Sequence, residues 1–401
     1  MKNVKDLQAN GKKVLVRCDF NVPLKDGVIR DDNRIVQALP TIKELIAKGA
    51  KVVLMSHLGK IDWKDPVKLE AGLKKNTLAP VAVRLAELLG QPVAFCTATH
   101  GEELKAAVEA LNDGDVLLVQ NTRFEKGETK NNEELSAEWA SLVDAFVMDA
   151  FGSAHRAHAS TVGVPSILKA EGKEVAIGYL VEKEVVNLDK VVNCQDRPYV
   201  AILGGFKVSD KIKVIESLLK KCDKILIGGA MAYTFKKALG KEIGVSPCEV
   251  EQLDYARRCI EEANGKILLP VDFVCADSFD NPTQIVVTED DNLPADFEGM
   301  DIGPKTIELY KNEIRNAKTI FWNGPMGVFE KEDFTKGTVS ICEACKEIKD
   351  GAFTVCGGGD SAAAVAQFGF KADFGHVSTG GGASLEMIEN DGHLPGIDVI
   401  K

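Results

Sequence analysis

Residues 199–229 read YVAILGGFKVSDKIKVIESLLKKCDKILIGG: an apolar run, a glycine pair, an amphipathic stretch, then a second apolar run ending on another glycine pair. Val200, Ala201, Ile202 and Leu203 follow one another without polar alternation, the pattern of a strand covered on both faces. From residue 210 to 222, Ile212, Val214, Ile215, Leu218 and Leu219 recur three and four apart, as on a helix that shows one face to a core. The two lysines Lys207 and Lys211 straddle the expected start of that helix at Ser209-Asp210. Two buried strands joined through a helix predict a βαβ unit with parallel strands.

The same alternation runs outward in both directions. KKVLVRCDF, AKVVLMSH, PVAFC, DVLLVQN and AFVMDAF lie on the N-terminal side, and KILLPVD, TIFWNG and FTVCGGGD on the C-terminal side. Helical stretches such as residues 77–90, TLAPVAVRLAELLG, separate them. The fold class is therefore α/β: two Rossmann-like three-layer domains with parallel sheets, joined by an interdomain helix. A length of 401 residues suits two or three domains of about 150 residues. The alternation breaks once, over residues 164–196, where YLVEKEVVNLDKVVN is amphipathic and Arg197-Pro198 opens the next strand. The expected boundaries are 1–165 for a first domain, 166–197 for the interdomain helix and 198–389 for a second domain, with the tail 390–401 packed back on the first.

Composition excludes several classes. Hydrophobic residues make up 45% and charged residues 27%, as in ordinary globular chains. No apolar stretch reaches the roughly 18 residues of a membrane helix. The N-terminus lacks the apolar core and cleavage site of an export signal. Ten scattered cysteines then read as reduced thiols, and a cytoplasmic location is expected. Residues 1–180 hold 24 Lys+Arg against 24 Asp+Glu, whereas residues 181–401 hold 25 against 36 and carry the whole net charge of −11. With no basic tract, neither nucleic acid nor a membrane surface is an expected partner. A small anion suits the neutral half.

Ligands of open parallel sheets sit outside the carboxyl ends of the strands. In the first half those ends carry Asp19, Asn21, His57, Arg123, Asp149, His155 and Arg156; in the second, Gly204-Gly205, Gly228-Gly229, Asp272, Asn323-Gly324 and Gly357-Gly358-Gly359-Asp360. One set grips an anion with side chains. The other lets a flat or phosphorylated ligand approach backbone N–H groups at helix starts. Asp360 either caps its helix or holds Mg²⁺ on nucleotide phosphates, and both readings stay open on spacing alone. A second glycine run, Gly380-Gly381-Gly382, repeats the design. There is no GxxxxGK[ST], so this is no P-loop enzyme. Cys342 and Cys345 have CxxC spacing inside a helical pattern, which favours a structural role.

The ordered set VRCDFNVPL, SHLGK, NTRF, DAFGSAHRAHAS, ILGGFKVSDKI, IGGAMAYTF, WNGPMGVFE, CGGGDSAAA and VSTGGGASLE resembles the phosphoglycerate kinases along essentially the whole chain. The resemblance implies reversible phosphoryl transfer between 1,3-bisphosphoglycerate and MgADP, giving 3-phosphoglycerate and MgATP, by a monomer whose domains close. It implies that Asp19, Asn21, Arg34, His57, Gly59, Lys60, Arg123 and Arg156 bind the glycerate in the first domain. It implies nucleotide binding in the second by Lys207, Lys211, Gly205, Gly228, Gly229, Gly299, Asn323, Glu330, Gly357, Gly358, Gly359, Asp360 and Ser361, with Asp360 toward Mg²⁺. Arg34, Lys207, Lys211, Gly359 and Gly382 would stabilise the phosphoryl group in flight. Lys60 stands where the family usually has Arg, Gln120 replaces an acidic residue, Phe206 a small one and Ala230 a glycine. A nicotinamide-dependent dehydrogenase would want GxGxxG after a strand, and the glycine runs lack that spacing. A solute-binding module would bind without turnover and carry an export signal.

Overall fold

The computed structural model describes residues 1–401. The chain divides into two compact units, Met1–Val186 with His393–Lys401, and Asn187–Gly392. The first contains β1 (Lys13–Cys18), a small hairpin of β2 (Leu24–Lys25) and β3 (Val28–Ile29), then β4 (Lys51–Met55), β5 (Ala94–Cys96), β6 (Val116–Val119), β7 (Ala145–Asp149) and β8 (Glu174–Ile177). The six strands outside the hairpin form one parallel sheet in the order β5-β6-β4-β1-β7-β8. Val14 lies level with Val52 on one side and Ala145 on the other. On one face Val14, Val16, Val52, Leu54, Val116 and Leu118 pack against Ile35, Ile42, Val81 and Leu85 of the helices Asn33–Ala47 and Ala79–Leu89. The alternate residues Leu15, Val53, Leu117 and Phe146 are buried as well, and cover on both faces is why these strands read as unbroken apolar runs.

The second unit contains β9 (Tyr199–Leu203), β10 (Lys224–Ile227), β11 (Ile267–Leu268), β12 (Phe273–Ala276), β13 (Ile285–Val287), β14 (Glu298–Ile302), β15 (Thr319–Asn323), β16 (Phe353–Cys356) and β17 (His376–Val377). Six of them form a parallel sheet in the order β11-β10-β9-β15-β16-β17. In both sheets the chain leaves two adjacent strands in opposite directions: β1 and β7 in the first, β9 and β15 in the second. The crevice outside such a switch point is the expected ligand position. Its floor in the second unit is knitted by backbone bonds, Gly204 N–H to Asn323 O at 2.9 Å and Gly228 N–H to Leu203 O at 2.8 Å.

Three expectations need correction. Residues 166–197 are not one helix: they form the end of Val164–Ala170, then β8, then the helix Tyr179–Val192. The short run EVAI pairs along β7, with Ala145 level with Glu174 and Met148 with Ile177, and so completes the first sheet. The second unit also carries an antiparallel sheet in the order β13-β12-β14, which strand–helix alternation does not anticipate. Finally, Asp149 and Asp272 do not face a ligand. Asp149 Oδ1 accepts from Leu180 N–H at 3.0 Å, and Asp272 accepts from Lys305 N–H at 2.9 Å and Thr306 N–H at 2.8 Å. Both are buried caps of helix starts.

The C-terminal residues pack on the first unit through buried Leu394, Ile397 and Ile400, and Gly396 N–H donates to Ala154 O at 2.8 Å. No helix is long and apolar enough to cross a membrane. The ten cysteines form no disulfide, and Cys342 and Cys345 are buried in the core of the second unit.

Candidate active site

In the first unit, five segments bring cationic groups to the carboxyl edge of the sheet. Arg17 is the next-to-last residue of β1, Arg34 stands in the first turn of the helix Asn33–Ala47, and His57 follows β4. Arg123 follows β6, and Arg156 and His158 follow β7. Asp19 accepts from Arg34 Nη1, and Asn21 Oδ1 accepts from Gly59 N–H at 2.8 Å. Arg123 Nη1 donates to Gly59 O at 2.6 Å, so both backbone groups of Gly59 are fixed by side chains of the site. Gly59 has φ +63°, and a β-carbon there would stand 2.8 Å from the Asn76 amide, which is why this turn takes glycine.

The charges of this cluster repel one another. Burial, then Arg17, Arg123, Arg34 and His158, hold the His57 imidazole well below its usual range. Burial, then Arg17, Arg123, Arg156 and His155, bring His158 down to about 4. Burial also lowers the Arg123 guanidinium, and Arg17 adds to the effect. The guanidiniums of Arg17, Arg34, Arg123 and Arg156 outnumber the carboxylates of Asp19 and Glu128 beside them, so the cluster suits an anion, which would relieve the remaining repulsion. Lys60 is exposed and lines a side cleft of about 270 Å³ with Arg123, Trp63 and Glu125.

The second unit presents a cleft of about 250 Å³ at its switch point. Its walls are Gly205, Gly229 and Gly299 with Met300, Met326 and Val328, a narrow apolar slot suited to a flat ring. Glu330 and Asp360 both belong to its lining, as do the departures Phe206 and Ala230. The helices Gly359–Gln367 and Gly381–Glu389 both start at this edge, with Gly359 and Gly382 exposed in their first turns. Two helix N-termini side by side offer free N–H groups to phosphate. Lys207 is exposed on the loop after β9.

Several expected nucleotide contacts lie instead beneath that surface. Asn323 Nδ2 donates to Gly357 O at 2.8 Å, and its Oδ1 accepts from Lys211 Nζ. Ser361 Oγ accepts from Gly324 N–H at 2.5 Å. Gly228 is buried behind Met326. In this structure these groups shape the loops around the cleft. Lys211 is the N-cap of the helix Ile212–Lys221, two residues later than the expected start. Burial brings its ammonium down to about 8, with Asp210, Glu389 and Asp360 opposing that shift.

Sequence reasoning missed three supports. Arg17 and Glu128 are fully buried beside the anion cluster. Glu249 holds the Lys207 loop, accepting from Val208 N–H at 2.6 Å and Ser209 N–H at 3.2 Å. The departure Gln120 has a local reason: Oε1 accepts from Leu78 and Asn121 N–H at 2.9 Å each, while Nε2 donates to Thr77 Oγ1 at 2.9 Å. A carboxylate could not make that donation.

The phosphoglycerate kinase family model matches residues 4–391. A phosphoglycerate kinase of Staphylococcus saprophyticus is 55% identical over 403 residues, covering 100% of this chain and 98% of that protein. One of Staphylococcus aureus is 54% identical, covering 100% and 99%. The solved phosphoglycerate kinase of Coxiella burnetii has a TM-score of 0.86 at 39% identity, over 99% of this chain and 97% of that one. That of Pyrococcus horikoshii gives 0.83 at 34%, over 100% and 98%. A likeness that runs the length of both partners, in sequence and in fold, leaves one assignment: the chain belongs to the phosphoglycerate kinase family.

Proposed function

We propose that this kinase moves a phosphoryl group reversibly between 1,3-bisphosphoglycerate and ADP, with glycerate held by the first unit and nucleotide by the second. The observation that carries the division is the convergence of Arg34, His57, Arg123 and Arg156 in one unit and of two glycine-started helices in the other. Arg34, Arg123, Arg156 and the exposed Lys60 neutralise the carboxylate and phosphate of the glycerate. Asp19 and Asn21 fix its hydroxyl end. The slot of Gly205, Gly229 and Gly299 takes the adenine, and Glu330 meets the ribose.

Transfer of this kind needs alignment and cations around three equatorial oxygens more than it needs a covalent catalyst. Arg34 from one unit, Lys207 from the other and the N–H groups of Gly359 and Gly382 supply them. Lys211 orders the phosphate loop through Asn323. The two ligand sets belong to different units, so the units close to align donor and acceptor and to exclude water.

Asp360 is the group that would hold Mg²⁺. The second unit offers no set of three or more metal-ligating side chains. One exposed carboxylate beside a phosphate site is nonetheless what Mg²⁺ requires, since it keeps waters and takes its remaining ligands from phosphates. The ion would neutralise nucleotide phosphate oxygens. A coupled assay of ATP-dependent phosphorylation of 3-phosphoglycerate, with and without Mg²⁺, tests this reading. Absence of turnover with the metal present would overturn it.

A further inference from the structure

His57 Nδ1 lies 3.1 Å from Nη2 of Arg17. A guanidinium has only donors, so Nδ1 accepts, the imidazole is neutral and its proton sits on Nε2. Arg17 is fully buried and its other groups are engaged: Nε donates to Ser160 Oγ at 2.7 Å and Nη1 to Cys18 O at 2.5 Å. Ser160 passes the connection on. Its hydroxyl donates to Glu128 Oε1 at 2.9 Å and its N–H to the same oxygen at 3.0 Å. Glu128 is fully buried too, so the chain His57–Arg17–Ser160–Glu128 is a cation and an anion joined through one hydroxyl away from water. Ser160 reaches both because Ala159–Gly163 is a single π-helical turn, a wide turn that recurs at functional sites.

We propose that Glu128 and Ser160 are positioning residues for the glycerate site, holding Arg17 so that it fixes His57 as a neutral Nε2–H donor. The inference rests on the proposed function for the identity of the substrate. Its physical reason is the company His57 keeps. Arg17 from β1, Arg34 from the helix Asn33–Ala47, Arg123 from the turn after β6 and His158 from the segment after β7 all face it. The Asp19 carboxylate on the same edge is engaged by Arg34. A protonated His57 would repel these cations, and an Nδ1–H tautomer would set two donors against each other. The network selects the one form that donates to an anion at every pH of interest.

The test joins ¹⁵N NMR of the His57 ring to steady-state kinetics on the full chain between pH 5.5 and 8. Ser160→Ala is the decisive variant, since it deletes one oxygen and leaves the Ser160 backbone bond to Glu128. Glu128→Gln is its companion. The unaltered enzyme should show the Nε2–H tautomer across the range. Ser160→Ala should show both tautomers and a titrating His57. Its KM for 3-phosphoglycerate should rise on the order of tenfold, the value of one oriented hydrogen bond to an ion, and become more pH-dependent than in the unaltered enzyme. KM for ATP should stay unchanged. An Nδ1–H tautomer or a titrating His57 in the unaltered enzyme, an unchanged His57 signal in Ser160→Ala, or equal rises in both KM values would overturn the proposal. Absence of 3-phosphoglycerate turnover in the unaltered enzyme would overturn the functional reading instead, and the ring measurement would still judge the network.

Discussion

Gly381 and Gly358 lie in contact: a β-carbon on Gly381 would stand 2.8 Å from Cα of Gly358 and 2.9 Å from the Gly359 nitrogen. The obstructing atoms are backbone, so no side-chain movement could make room. This contact sets the two helix starts side by side, so their positive ends add at one position, where the proposed function puts nucleotide phosphate. Gly381→Val should therefore separate them. ADP affinity, measured by titration calorimetry, should fall on the order of tenfold, as loss of one helix terminus from an anion site implies. Affinity for 3-phosphoglycerate should be unchanged, because the anion cluster belongs to the other unit. Equal losses for both ligands would mean that the substitution unfolds the chain.

Asp360 is the acidic residue of that edge with its side chain exposed in the first turn of its helix. The N-cap is Gly358, and as a mere first-turn charge Asp360 would matter equally with and without metal. As a metal ligand it matters only with it. Asp360→Asn should weaken MgADP binding far more than binding of metal-free ADP, because a neutral amide is a poor partner for a hard cation. A parallel loss in both titrations would leave Asp360 as a first-turn charge that favours its helix and no metal ligand.

The parallel sheets and the groups gathered at their carboxyl edges were legible because the strands are buried on both faces and the turns carry glycine, arginine or histidine. What sequence hid has specific causes. EVAI is too short to break the amphipathic pattern on its C-terminal side, so β8 merged with the helix that follows. β13 exposes Ile285, Val286 and Val287, and β14 reads EGMDI, so neither resembles a buried strand. Glu128 sits in EKGETK and Glu249 in PCEVEQ, both of which look like solvated surface. Their partners lie 32 and about 40 residues away, and only folding brings them together.

Asp149 predicts a pH dependence of stability. Burial pushes its carboxyl up to about 7, against an ordinary value of 3.8, even though it accepts two N–H groups at a helix start. Its Oδ2 has no hydrogen-bond partner, and the Thr41 hydroxyl and the two N–H groups only partly offset the burial. The folded state thus holds a proton that the unfolded chain releases. The contribution of Asp149 is fully present below about pH 4 and is lost as pH rises through about 7. Asp149→Asn keeps the Oδ1 acceptor and never ionises. Relative to the unaltered chain, it should gain stability steadily from pH 5 to pH 8, by a few kcal/mol at most. Urea unfolding at each pH gives the difference, which isolates this group from His158, whose lowered value acts oppositely. A difference independent of pH would show that Asp149 is ionised in the folded state throughout.

Glu249 predicts a split between binding and turnover. Its carboxylate accepts from Val208 N–H, Ser209 N–H and the Ser209 hydroxyl, at 2.6, 3.2 and 2.5 Å, and so pins the loop that carries Lys207. Lys207 itself is exposed, and the order of its backbone is what places its ammonium. Glu249→Ala frees three donors and lets the loop sample other conformations. A displacement of about 1 Å at a transferring group can cost on the order of 10²-fold in rate. Glu249→Ala should therefore lower kcat by roughly 10- to 10²-fold with little change in ADP affinity, a smaller version of the 10²- to 10³-fold loss expected for Lys207→Ala. Glu249→Gln supplies the discriminating control. Its amide oxygen can accept both N–H groups, and its NH₂ can donate to Ser209 Oγ, so the loop stays pinned without the charge. Turnover close to the unaltered rate in Glu249→Gln, beside a clear loss in Glu249→Ala, would show that hydrogen bonding holds the loop. Equal losses in both would place the effect in the charge of Glu249, and unaltered kcat in Glu249→Ala would remove the loop anchor from the account of catalysis.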